Sequence, residues 1–126
     1  MSIQQITVMS VDDMPTDRRR GGEIRVLLSP KTVGSTTGFM GVAKIGPGER
    51  ISEHYHPYSE EFLYVMHGKI VAQLDGIRYE VCSEQGLLIP IGVKHRLINE
   101  EDQEARFVFH LCPLAPRPDM GHVDTE

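Results

Sequence analysis

The sequence lacks a basic excess, a long apolar run and more than a token of cysteine, and each shortage removes a class of function. Its formal net charge is −5, whereas a surface that tracks nucleic-acid phosphates concentrates positive charge on one face. Arg18, Arg19 and Arg20 form the only basic run. Near a chain end it reads as a solvated segment, or as a contact for a partner subunit or an anionic substrate, and not as a nucleic-acid interface. No stretch approaches the roughly 20 apolar residues that span a bilayer, and the N-terminal residues lack the apolar core of a signal peptide. The expectation is a cytoplasmic protein with no membrane attachment. Cys82 and Cys112 allow one bridge at most, neither has a CxxC partner, and a reducing cytosol favours free thiols over redox work or a zinc knot.

What is present is an ordinary globular composition, 40% hydrophobic and 25% charged over 126 residues, which implies one domain spanning 1–126 with its own core. Short apolar or alternating runs recur between turn residues, the pattern of an all-β chain with about ten strands. The runs are Gln5–Val8, Glu23–Leu28, Gly38–Ile45, Arg50–His54, Glu61–His67, Lys69–Leu74, Ile77–Val81, Leu87–Ile89, His95–Asn99 and Ala105–Leu111. Asp75-Gly76 is the strongest local signal, because a two-residue hairpin loop needs positive φ angles that Asp-Gly adopts cheaply. So many strands in so short a chain call for a closed barrel or a two-sheet jelly roll, since one flat sheet would leave its edges open. The barrel is expected at about 38–112, with N-terminal strands in 1–37 and an irregular, proline-bearing tail at 113–126. The N-terminal strands favour addition to a neighbouring subunit, hence a homodimer.

Five of the six histidines fall between positions 54 and 110, and two are separated by one residue in His54-Tyr55-His56. In an extended chain that spacing puts both imidazoles on one side, roughly 6.5–7 Å apart at the backbone, within reach of one ion. Glu61 shares a strand face with Leu63, Val65 and His67, while Phe62, Tyr64 and Met66 take the other. A carboxylate among apolar neighbours is costly unless a cation meets it; the competing reading is a strand end with Glu60 and Glu61 both solvated.

These residues resemble the cupin superfamily. Gly48, five residues, His54-Tyr55-His56, four residues, Glu61, six residues and Gly68 match the first cupin motif. Pro90-Ile91-Gly92-Val93-Lys94-His95-Arg96-Leu97-Ile98-Asn99 matches the second. One position departs: the glycine expected six places before Pro90 is Glu84, with Gly86 two positions later, which alters a turn rather than a ligand. The resemblance implies a single-domain cupin, an antiparallel jelly-roll barrel, with His54, His56, Glu61 and His95 as metal ligands. Imidazoles and a carboxylate suit Zn2+, Fe2+, Ni2+ or Mn2+ without choosing among them.

A narrower resemblance rests on Arg18–Arg25, on Leu28–Gly41 and on His54–Met66, which are similar to small cupin cyclases of aromatic polyketide biosynthesis of the tetracenomycin and resistomycin type. It implies a zinc-bearing polyketide cyclase that closes rings of a poly-β-ketone, with delivery by a polyketide synthase acyl carrier protein as one route. A divalent ion with three neutral imidazoles and one carboxylate retains a formal charge of about +1, enough to polarise a carbonyl and acidify the methylene between two carbonyls for aldol closure. Candidate bases are a metal-bound hydroxide, His110 and Glu60, in that order. Candidate cavity walls are Phe39, Met40, Val42, Leu63, Val65, Leu97 and Val108, although for any single one of them core packing is the better explanation. His67 reads as a turn residue and His122 as a solvent-exposed tail residue. Rival readings are a metal-dependent dioxygenase acting on an enolised aromatic substrate and a non-catalytic small-ligand binder, because the barrel alone does not decide function.

Overall fold

A computed structural model describes residues 6–126. Nine strands follow the expected runs closely: β1 (Glu23–Leu28), β2 (Phe39–Ile45), β3 (Arg50–Tyr55), β4 (Glu60–His67), β5 (Lys69–Leu74), β6 (Ile77–Cys82), β7 (Gly86–Ile89), β8 (His95–Ile98) and β9 (Ala105–Cys112). They form two antiparallel five-stranded sheets, ordered β1-β2-β9-β4-β7 and β10-β3-β8-β5-β6, where β10 is Val123–Asp124. Among the described residues helix is limited to α1 (Pro30–Val33), closed by a reciprocal Ser29–Thr32 capping box, and two 3-10 turns at Val11–Asp13 and Pro118–Met120. Among the described residues no helix is long and apolar enough to cross a membrane.

Alternation along each strand decides what enters the interior. Ala43, Ile45, Leu63, Val65, Ile70, Ala72, Leu97, Phe107 and Leu111 are buried between the sheets, and removal of their apolar surface from water is the main stabilising term. Asp75 and Gly76 both take positive φ, 47° and 85°, so the β5–β6 hairpin forms where Asp-Gly predicts it. Glu84 also sits at positive φ, 67°. The turn that departs from the motif thus keeps the glycine conformation while carrying a Cβ, an uncommon and strained choice.

Two expectations change at the ends. Gln5 lies outside the described residues, and Ile6–Val8 form no strand; Ile6 and Val8 are each 94% exposed. The tail expected to be irregular instead carries a 3-10 turn and β10, which pairs with β3 through Val123–Tyr55 and Asp124–His54.

Asn99 fastens the bottom of the barrel. Fully buried, its Nδ2 donates to the carbonyls of Ile45 (2.8 Å) and Gln103 (2.7 Å), and its Oδ1 accepts from the Glu101 amide (2.9 Å). Asn99→Ala orphans all three groups and is expected to cost about 2–3 kcal/mol. Urea denaturation measures this, and a loss under about 0.5 kcal/mol would mean that the loop finds other partners.

Candidate metal centre

Four side chains from three strands converge at one end of the interior. His54 lies on β3, His56 directly follows it, Glu61 lies on β4 and His95 opens β8, where it is the register partner of His54. All four are buried, and one ligand atom from each lies within 4.8 Å of the others. Glu61 Oε1 is 3.1 Å from His56 Nε2 and 3.5 Å from His95 Nε2.

The rings are fixed from behind. His54 Nδ1 meets the Ser52 carbonyl at 2.7 Å, His95 Nδ1 meets that of Val93 at 3.0 Å, and His56 Nδ1 meets that of Gly121 at 2.9 Å. A carbonyl only accepts, so each Nδ1 carries the proton and donates it. Each Nε2 therefore offers a lone pair to the centre. The buried Nε2 atoms of His56 and His95 have no hydrogen-bond partner, although a carboxylate oxygen stands beside them. Lone pairs facing a carboxylate repel unless a cation sits between them, which is the environment a divalent ion fits.

Without a metal the cluster draws on protons. Burial would raise the Glu61 carboxyl, but His56 and His95 outweigh it and hold the group far below the usual carboxylate range. Burial pushes His95 down, yet the Glu61 carboxylate carries it above its ordinary value. His54 moves the other way: burial and the neighbouring His95 push it down to about 3, so it stays a neutral donor.

The cluster opens onto a cavity of about 380 Å³, in the range of small-molecule sites. Its walls are apolar, including Phe39, Phe107, Phe109, Leu97 and Leu111, and its rim carries Asp17, Arg19, Arg20, Pro118 and His122. Gly21 lets the N-terminal segment reach this rim: its φ is 97°, and a Cβ there would collide with the Arg50 carbonyl.

Several expected site residues fall elsewhere. His110 occupies the outer face of its sheet with Arg106 and Val108, its ring 5.7 Å from that of Phe62. The bulkier parity of β9, Phe107, Phe109 and Leu111, takes the interior, and its size was the signal available in the sequence. Glu60 likewise faces out with Phe62, Tyr64 and Met66, because its neighbour Glu61 faces in. Neither His110 nor Glu60 reaches the cluster as a base. Of the expected walls, Phe39 and Leu97 line the cavity, Leu63 and Val65 sit in the core, and Met40, Val42 and Val108 lie on the outer face. A register shift between Val65 and His67 takes His67 off the parity of Glu61 and leaves it exposed.

His122 is the reverse case. Its ring stacks on His54 at 4.4 Å and 17°, and its Nε2 meets Asp124 Oδ1 at 2.7 Å. Asp124 also accepts from Arg20 Nε at 2.9 Å. The spacing of two between His122 and Asp124 was the sequence's only hint, and it is weak.

The fold and the converging imidazoles define a cupin, and the chain belongs to that family: residues 41–111 match the Cupin domain. It is 60% identical over 126 residues to Protein SchB of Streptomyces halstedii, covering 100% of this chain and 91% of that protein. It is 58% identical over 119 residues to Polyketide synthase CurC of Streptomyces cyaneus, covering 94% and 77% respectively. It is 41% identical over 118 residues to Tetracenomycin polyketide synthase protein TcmJ of Streptomyces glaucescens, covering 94% and 79%. Among solved structures, the polyketide cyclase RemF of Streptomyces resistomycificus superposes with a TM-score of 0.77 at 19% identity, over 97% of this chain and 87% of that one; that likeness is one of fold.

His54→Ala or His95→Ala is expected to abolish stoichiometric metal uptake, read by elemental analysis, while circular dichroism still reports a folded barrel. Glu61→Gln is expected to weaken divalent-metal affinity by at least the roughly 10- to 100-fold that loss of an outer-shell partner costs. Unchanged affinity in a competition titration would exclude Glu61 as a ligand.

Proposed function

We propose that this chain is a metal-dependent polyketide cyclase of the cytoplasm, which promotes aldol-type ring closure of a poly-β-ketone with zinc as its ion. One observation carries the reading: three imidazole lone pairs and a carboxylate converge at the closed end of an apolar cavity. The relatives named as polyketide synthase proteins support the substrate class.

When bound, the ion supplies Lewis acidity, which polarises a 1,3-dicarbonyl and acidifies the methylene between its carbonyls. His54, His56, Glu61 and His95 would hold it, and the Ser52, Gly121 and Val93 carbonyls keep the imidazoles in the tautomer that would ligate it. Phe39, Phe107, Phe109 and Leu97 confine the flexible chain so that one carbon meets one distant carbonyl, and they exclude water from the closing pair. Confinement replaces the entropy that an unguided cyclisation loses, so wall shape governs which ring forms.

The partners proposed are a substrate delivered by an acyl carrier protein and a second copy of the chain. The outer face of the β1-β2-β9-β4-β7 sheet supports the homodimer, with Phe62 46%, Tyr64 45%, Met66 41% and Leu88 45% exposed. Register sets Met40, His110, Phe62 and Leu88 in one row and Val42, Val108 and Tyr64 in the next. Lys44 and Arg106 end this face at one side and Glu60 at the other, so a two-fold axis lying in the face and running across the strands brings opposite charges together. Sedimentation is expected to report a dimer that Phe62→Lys converts to monomer; a wild-type monomer at tens of micromolar would remove this contact.

The test of function is incubation with a minimal polyketide synthase. Adding the zinc-loaded protein is expected to shift a mixture of shunt products toward one cyclised product without oxygen uptake, and chelation or His95→Ala is expected to abolish the shift. An unchanged product profile, or stoichiometric oxygen consumption, would sink the proposal.

A further inference from the structure

The three ligand imidazoles are not held alike. His54 and His95 bond the carbonyls two residues before them, on their own strand or the turn leading into it, whereas His56 bonds the carbonyl of Gly121, 65 residues away. Gly121 belongs to a strap that crosses the cavity mouth. Pro118 and His122 of that strap line the cavity, the His122 ring covers His54, and β10 pairs with the β3 backbone at Tyr55 and His54. The Thr125 amide donates to the Glu53 carbonyl at 3.1 Å, and Arg20 from the opposite rim bonds Asp124.

The strap is anchored by polar contacts and not by an apolar core. No residue of its 3-10 turn is buried and both residues of β10 are exposed, while Thr125 donates to the Glu53 carboxylate and Glu126, just beyond, pairs with Arg50 and Arg96. Segments attached in this way open well before the core does. While docked it narrows the mouth, since Pro118 and His122 form part of the cavity lining.

We propose that the strap Arg117–Thr125 is a lid whose closure is thermodynamically linked to the cation held by His54, His56, Glu61 and His95; the proposal rests on that reading of the cluster. The link is the imidazole of His56, which touches both partners through opposite nitrogens. A cation on Nε2 withdraws electrons from the ring and makes Nδ1–H a stronger donor to Gly121. A docked Gly121 carbonyl, in turn, holds the proton on Nδ1 and leaves Nε2 free to ligate. The coupling is reciprocal: the ion favours the closed strap by the same factor by which the closed strap favours the ion. The mouth is thereby narrower when the site is loaded than when the strap is released, and a bound ligand keeps the lid down only by adding contacts to it.

The test is amide hydrogen exchange on the full chain with and without zinc, alongside a competition titration of zinc affinity. Zinc is expected to slow exchange of the Thr125 amide roughly tenfold, a usual size for coupled sites, with little change at β5 in the core. Arg20→Ala and Asp124→Asn loosen the strap without touching a ligand. Both are expected to speed Thr125 exchange and to lower zinc affinity several-fold. Stoichiometric zinc binding with unchanged strap exchange, or loosened variants that bind zinc as wild type does, overturns the lid while leaving the metal site standing. Failure of the wild-type chain to bind zinc, iron, nickel or manganese removes the cation site, and the lid with it.

Discussion

The interior is organised around one buried carboxylate. Glu61 is 5% exposed among residues such as Leu63 and Val65, where an ionised group is stable only if positive charge reaches it. The three imidazoles around it are pinned by carbonyls behind them, so they turn lone pairs and not protons toward the centre. Positive charge balances that set: a proton shared with His95 does so in part, and a divalent ion would satisfy every donor at once.

The pleat of the strands separates the chemistry from the surface. Along β4, Glu61 turns into the cavity while Glu60, Phe62, Tyr64 and Met66 turn out. Along β9, Phe107, Phe109 and Leu111 build the cavity wall while Arg106, Val108 and His110 build the outer face. One strand therefore serves the ligand cluster and the apolar outer surface together, and a shift of one residue in its register would exchange the two roles.

A second ring of residues, from outside the two cupin motifs, surrounds the mouth. Arg20, Gly121, His122 and Asp124 come from the two ends of the chain and meet over β3. They join His56 by one hydrogen bond and His54 by one stacked ring. The barrel positions the histidine–glutamate cluster, whereas these outer segments line its mouth and orient one of its imidazoles.

Strand positions, the Asp75-Gly76 hairpin and the grouping of His54, His56, Glu61 and His95 were legible in the sequence, because each depends on a short period or a fixed spacing that the chain carries locally. Where β4 mixes a charged and an apolar face, parity alone sorted Glu61 inward. On β9 both parities are partly apolar, so the sequence left His110 undecided, and the larger volume of Phe107, Phe109 and Leu111 decided it through packing. The tail has no apolar period, and its contacts join residues 65 and 104 positions apart. Backbone carbonyls, which every residue possesses, and pairs of charges, which many partners could satisfy, leave no mark of their destination in a sequence; only the folded barrel brings Gly121 to His56 and Asp124 to Arg20.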